Sequence, residues 1–238
     1  MGMLGFGRML MSGSGATVAR IPAFSQVEYM IQQLAGDADV TDRSSNAIGL
    51  SSGSWTAAAN TDDPPFPGGA SVLLNGSNGW RTVSSAALGI GTADFCLEVE
   101  ATLTAVSSLR FFADFRPAGN NGAYPAFFVE DGALKLYVSS AYLLSGGVVS
   151  TGVRHYAVLT RTSGVSRLYL GSGGVVSRVA IGADATNYGQ SGLLVSQSTF
   201  GGSGIPGLLH RLRLTIGDSL GYTADEMIYP YNTAWPTS

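Results

Sequence analysis

Short runs in which apolar and polar residues alternate, separated by Gly, Asn, Ser and Pro, fill the chain from about residue 70 onward. A period of two sends successive side chains to opposite faces of an extended backbone, so such runs predict half-buried strands. They are expected over 70–74, 80–83, 94–103, 109–115, 126–130, 133–139, 154–160, 165–170, 193–195 and 208–216. In the last, Leu208, His210, Leu212, Leu214 and Ile216 share one face, and Leu209, Arg211, Arg213 and Thr215 the other. Asp131-Gly132 supplies the positive φ angles of a tight hairpin turn. Many short strands and no convincing long helix predict an all-β chain, folded as an antiparallel sandwich or barrel.

The first third reads differently. Residues 1–22 look like a short N-terminal arm: Met3, Leu4, Phe6, Met9, Leu10 and Met11 are apolar, and Ser12-Gly13-Ser14-Gly15 follows them. A Gly/Ser-rich terminus needs something to hold it, so these six side chains are expected to make assembly contacts. The domain proper is expected over 23–238. Residues 26–34 fit a short amphipathic helix by propensity or a strand, and 36–70 read as a long irregular loop with one short strand near Trp55.

Composition narrows the function classes. Charged residues are 12% of the chain, against roughly 25% in an average domain, and the net charge is −3. Nucleic acid is therefore not an expected partner. So few charges on a chain that is 45% hydrophobic suggest surface buried in a homo-oligomer or multi-copy assembly. Cys96 is the single cysteine, which leaves no internal disulfide and no thiolate zinc cage. Glycines at positions 2, 5 and 7 and Arg8 break the apolar N-terminus well short of the roughly 20 residues of a membrane span. Arg8 also sits where a secretory signal would be continuous, so synthesis in the cytoplasm without cleavage is expected.

Several strings resemble catalytic motifs. Gly217-Asp218-Ser219-Leu220 spells a serine-hydrolase block, but neither His155 nor His210 follows it to serve as base. Gly49-Leu50-Ser51-Ser52-Gly53 lacks the strand–turn–helix context of a nucleophile elbow, and Gly202 to Gly207 precedes a strand rather than a helix. Glu98 and Glu100 share one strand face and are the best glycosidase pair, set against an ordinary solvated face. No catalytic residue is expected. Asp37, Asp39 and Asp42 are weak calcium candidates, since oxygen ligands suffice for that ion; otherwise no metal or cofactor is expected. Trp80, Tyr124, Tyr137, Tyr142 and Tyr188 are candidate sugar platforms, and Arg110, Asp114, Arg116 and Tyr124 flank one strand and its Asn-Gly loop.

Six segments in order resemble a known family. They are Val27 to Leu34 with Ala35-Gly36-Asp37; Thr41-Asp42-Arg43-Ser44-Ser45-Asn46; Phe66-Pro67-Gly68-Gly69-Ala70-Ser71 running on to Trp80; Gly91-Thr92-Ala93-Asp94-Phe95; Arg154-His155-Tyr156-Ala157-Val158 with Arg167-Leu168-Tyr169-Leu170; and the ending from Leu209 to Thr223. Together they resemble the laminin-G-like branch of the concanavalin A-like lectin/glucanase fold, of the type found in bacteriophage tail and decoration proteins. The resemblance implies a jelly-roll β-sandwich of two antiparallel sheets in which 26–34 is a strand. It also implies a non-enzymatic virion structural protein of tail, baseplate or capsid, held to other virion proteins by its arm and displaying a lectin-like domain to a host-surface glycan. The alternatives are a freestanding carbohydrate-binding module and, less favoured, a glycosidase.

Overall fold

The computed structural model describes residues 17–37, 39–54, 59–117, 122–198, 204–229 and 231–236. In chain order the strands are β1 (Thr17–Val18), β2 (Val27–Leu34), β3 (Leu50–Ser54), β4 (Ala59–Asn60), β5 (Gly69–Asn75), β6 (Gly79–Thr82), β7 (Phe95–Leu103), β8 (Arg110–Asp114) and β9 (Ala126–Glu130). They continue with β10 (Ala133–Val138), β11 (Ala141–Gly146), β12 (Arg154–Thr162), β13 (Val165–Ser172), β14 (Val175–Ala183), β15 (Leu194–Val195), β16 (Pro206–Ile216) and β17 (Glu226–Ile228). Ten form one sheet in the order β1-β17-β14-β13-β12-β7-β16-β2-β5-β4, and seven form a second in the order β11-β10-β9-β8-β15-β6-β3. The central pairs are antiparallel, and β1 runs parallel to β17. The chain is thus an all-β antiparallel sandwich.

Its main core lies between the sheets. Leu97, Val99, Ala101 and Leu103 of β7, Ala157 and Leu159 of β12, and Leu209, Leu212 and Leu214 of β16 face Trp80, Phe112, Phe127, Val129, Leu134 and Leu136. Each such large side chain, fully buried, contributes about 1.5–3 kcal/mol relative to exposure. The β9–β10 hairpin turns through Asp131 and Gly132, at φ 50° and 75°, the left-handed pair that its sequence predicts.

Four expectations are corrected. Residues 17–22 are tied to the domain rather than to an arm: β1 pairs with β17, and the Ala19 amide donates to the Ile228 carbonyl at 2.8 Å. The arm side chains Met3, Leu4, Phe6, Met9, Leu10 and Met11 lie outside the described residues, as does Trp55. Strands β11, β14 and β17 were not expected; β14 breaks its alternation at a bulge opposite Leu168 and Tyr169. Trp80 is no surface platform: it is 0% exposed in the core and its indole N–H donates to the Tyr29 hydroxyl at 2.8 Å. Finally, a bulge between Leu209 and Arg211 shifts the face assignment of β16. Leu209 joins Leu212 and Leu214 in the core, and His210 goes outward with Arg211 and Arg213.

Candidate functional site

Each sheet has an outer face, and both carry charge and aromatic rings. On the ten-stranded sheet, Glu98 and Glu100 of β7 lie opposite Arg213 and Arg211 of β16. Arg213 Nε donates to Glu98 at 2.6 Å, and the Tyr156 hydroxyl reaches the other Glu98 oxygen at 2.5 Å. Arg211 Nε and Arg154 Nε donate to the two oxygens of Glu100 at 2.5 and 2.8 Å. Both glutamates are 0% exposed, so the solvated face expected of them is instead a sealed ionic layer.

The seal is the chain's own end. Residues 219–229 and 231–235 form a strap whose Leu220, Tyr222, Met227, Tyr229 and Trp235 pack on Met30, Cys96, Tyr156, Val158 and Val176. The Trp235 ring lies 4.5 and 4.2 Å from the Arg211 and Arg213 guanidinium carbons. Its backbone is gripped by Gln32, whose amide donates to the Trp235 carbonyl at 3.1 Å and accepts from its N–H at 2.7 Å. Burial pushes the Cys96 thiol and the Tyr156 and Tyr222 hydroxyls above their usual pKa ranges. These carboxylates, already saturated with donors and closed to solvent, have no route to a glycosidic bond.

The imidazoles are occupied too. His210 Nδ1 pairs with the Ser71 hydroxyl at 2.7 Å and Nε2 with the Thr102 hydroxyl at 2.8 Å. Burial, reinforced by the charge of Arg154, pulls its pKa down to about 3. His155 Nε2 accepts from the Ser150 amide at 3.0 Å. Neither contacts Ser219, which sits in a turn where Asp218 accepts from the Leu220 amide at 2.8 Å. Asp37, Asp39 and Asp42 organise the loop after β2. Asp42 accepts from the amides of Met30, Ser44 and Ile48, Asp37 from the Leu34 amide and Arg43, and Asp39 from the Val40 amide. Among the described residues no group of three or more His, Cys, Asp or Glu could hold a metal ion.

The outer face of the seven-stranded sheet meets solvent at its β10–β11 end, where Tyr142 is exposed, while Asp114, Arg116, Phe111 and Phe128 are buried. Cross-strand register lines up Arg81 of β6, Leu194 of β15, Asp114 of β8, Ala126 of β9, Tyr137 of β10 and Tyr142 of β11 in one row. Phe111, Phe128 and Lys135 form the next row. Arg116 folds back over this floor: Nε and Nη2 donate to the two Asp114 oxygens at 2.8 and 2.9 Å. The guanidinium carbon lies 5.6 and 5.3 Å from the Phe111 and Tyr137 ring centres. At the β10–β11 end, Glu130 accepts from Lys135 at 2.6 Å and from the Tyr142 hydroxyl at 2.9 Å. The hydrogen bond from Lys135 holds the Glu130 carboxyl below its usual range, and Glu130 holds the Lys135 ammonium above its own. Lys135 Nζ lies 4.4 Å from the Tyr142 ring centre, and Tyr142 is 53% exposed.

The residues expected from sequence are thus brought together in part. Asp114, Arg116, Tyr137 and Tyr142 share this face. Arg110 pairs with Val129, a core position, and so points to the other side of β8. Tyr124 is half-buried and packs beside Gly189 and the main core, and Tyr188 is buried with its hydroxyl donated to Asp184 at 2.7 Å. Phe111, Phe128, Glu130 and Lys135 escaped the sequence reading. Alternation through the Asp131-Gly132 hairpin holds the signal for the last three, because it puts positions 128, 130, 135 and 137 on one face.

No family model matches the sequence, and no curated protein matches it. Domain 4 of AbnA, a GH43 extracellular arabinanase from Geobacillus stearothermophilus solved with arabinotriose, superposes with a TM-score of 0.57 at 14% identity, covering 81% of this chain and 93% of that one. The CBM40 of the Ruminococcus gnavus IT-sialidase, solved with α2,3-sialyllactose, gives 0.50 at 11% identity, covering 64% and 91%. The binding domain of botulinum neurotoxin DC in complex with SialylT gives 0.52 at 9%, covering 85% of this chain. The chain spans about half the length of that domain, 49%, and of the binding domain of Paraclostridial Mosquitocidal Protein 1, 48%. At such identities the likeness is one of fold, and the fold it shows is the β-sandwich built above.

Proposed function

We propose that this chain is a non-catalytic carbohydrate-recognition protein that holds a glycan on the outer face of its seven-stranded sheet. The observation that carries the reading is the contrast in access. Here Tyr142, 53% exposed, and the partly exposed Glu130–Lys135 pair lie together at the surface, whereas Glu98 and Glu100 are sealed. Rings offer apolar stacking to the C–H faces of sugars, and carboxylates accept the protons of their hydroxyls. The same fold carries sugar ligands in the arabinanase domain and in the CBM40. A glycan array probed with the full chain tests this; a chain that binds none of its glycans ends the reading.

The place of action we propose is a bacteriophage virion, with the domain displayed toward host-surface glycans and the arm held by other virion proteins or by further copies. The ordered resemblance along the sequence supports it. So does the point at which residues 1–16 join the fold, the open edge strand β1, where Val18, Ile228 and Val175 stand side by side and exposed. Light scattering separates this from a freestanding binding module. The full chain is expected to assemble and a chain starting at Thr17 to be a folded monomer; two monomers would favour the module.

A further inference from the structure

The outer face of the seven-stranded sheet is not uniform in its charge arrangement. Recognition of an acidic sugar needs a cation, or a cluster of donors, not already committed to a carboxylate. At the β9–β11 end both cations are committed. Arg116 spends Nε and Nη2 on Asp114, with Ser198 accepting a further bond from Nη2 at 3.2 Å. Lys135 is bound to Glu130 and faces the Tyr142 ring. Arg81 is the remaining cation of the row, but β6 lies four strands from β10 in the sheet. At roughly 4.8 Å per strand that is about 19 Å, beyond the reach of a sugar seated on the tyrosines. What the corner does present is acceptor oxygen, from Glu130, and ring surface, from Tyr142 edge-on to Tyr137 at 5.5 Å. Carboxylate oxygens take hydroxyl protons and repel other carboxylates.

Building on the carbohydrate reading above, we infer that the corner formed by Glu130, Lys135, Tyr137 and Tyr142 is a subsite for an uncharged sugar, stacked on Tyr142 and donating hydroxyl hydrogen bonds to Glu130. Acidic sugars are excluded from it by Glu130 and by the prior commitment of Lys135.

Calorimetric titration of the full chain with arabinotriose and other neutral oligosaccharides, and in parallel with sialyllactose and a hexuronic acid oligomer, tests this. Neutral glycans are expected to bind with an affinity that changes less than twofold between low and high salt, because an uncharged ligand has no charge to screen. Tyr142→Ala and Glu130→Gln are each expected to weaken binding at least tenfold, and Arg81→Ala to leave it unchanged. Tyr142 is surface-exposed, so its variant is expected to fold, and circular dichroism checks this. If acidic glycans bind and neutral ones do not, the sugar class is wrong while carbohydrate recognition stands. If neutral glycans bind but Tyr142→Ala and Glu130→Gln bind equally well, the location is wrong. If no glycan binds, the carbohydrate reading fails and takes this inference with it.

Discussion

The two outer faces are built from the same chemistry but differ in their access to solvent. Glu98–Arg213 and Glu100–Arg211 on one correspond to Asp114–Arg116 and Glu130–Lys135 on the other, and each set has aromatic rings over or beside its cations. The difference is a cover. The strap closes the first face, and its ion pairs, cut off from water, become part of the fold. The second buries Asp114–Arg116 as well but keeps Tyr142 and the Glu130–Lys135 pair in contact with solvent. Residue type alone therefore does not mark a site; access does.

Removing one cation from each face gives the largest contrast. Arg213→Met leaves Glu98 buried with only hydroxyl donors from Tyr156 and Tyr222. Breaking a buried pair this way is expected to cost about 3–5 kcal/mol. Lys135→Met, which opens a pair with 18% and 22% side-chain exposure, is expected to cost less than about 1 kcal/mol. Urea unfolding midpoints of the two variants measure both; equal losses would mean that the strap does not seal its face. Next in size is the strap itself. Trp235→Ala removes the ring over both arginines while leaving the Gln32 backbone clamp, with an expected loss of about 3 kcal/mol in the same assay. A loss below about 1 kcal/mol would show the strap to be held by its backbone alone.

The sandwich was legible where one strand face met the core and the other met water. β9 falls at its expected bounds, 126–130, because Phe127 and Val129 face inward between outward Phe128 and Glu130. β14 was not legible, since its inner face is only partly covered and a bulge interrupts its period. The sealed face was not legible either: its strap comes from residues more than a hundred positions after Glu98, and nothing local to β7 announces a cover. Strict alternation puts His210 on the apolar side, and one extra residue in β16 overturns that. Of the residues on the proposed recognition face, Asp114, Arg116, Tyr137 and Tyr142 are candidates that the sequence itself offers. The phenylalanine floor looked like core because Phe111 and Phe128 are buried, though beneath Arg116 and the tyrosines rather than between the sheets.

His210 belongs to the sealed face and gives it a pH dependence. With a folded-state pKa near 3 against about 6.5 unfolded, the folded protein binds fewer protons in that window. Its contribution is fully present above about pH 6.5 and is lost as pH falls toward 3, at up to about 1.4 kcal/mol per pH unit. His210→Asn is expected to be less stable at pH 7 but to lose less on acidification. If wild type and variant show parallel stability curves from pH 6.5 to 4, His210 is not held neutral by its burial.

The smallest expected change in stability separates the two faces most directly. Tyr142 and Tyr222 are both tyrosines beside a glutamate, Tyr142 donating to Glu130 at 2.9 Å and Tyr222 to Glu98 at 3.3 Å. Tyr222 is 0% exposed under the strap, and its truncation to alanine opens a cavity beside a buried carboxylate, at about 3 kcal/mol or more. Tyr142→Ala exchanges a ring already in contact with water for more water and is expected to shift stability by no more than about 0.5 kcal/mol. Thermal unfolding of the two variants provides the comparison. A large loss for Tyr142→Ala would mean that its ring is part of the structure, as Trp235 is, and that the open face is held together by the very side chains assigned to recognition.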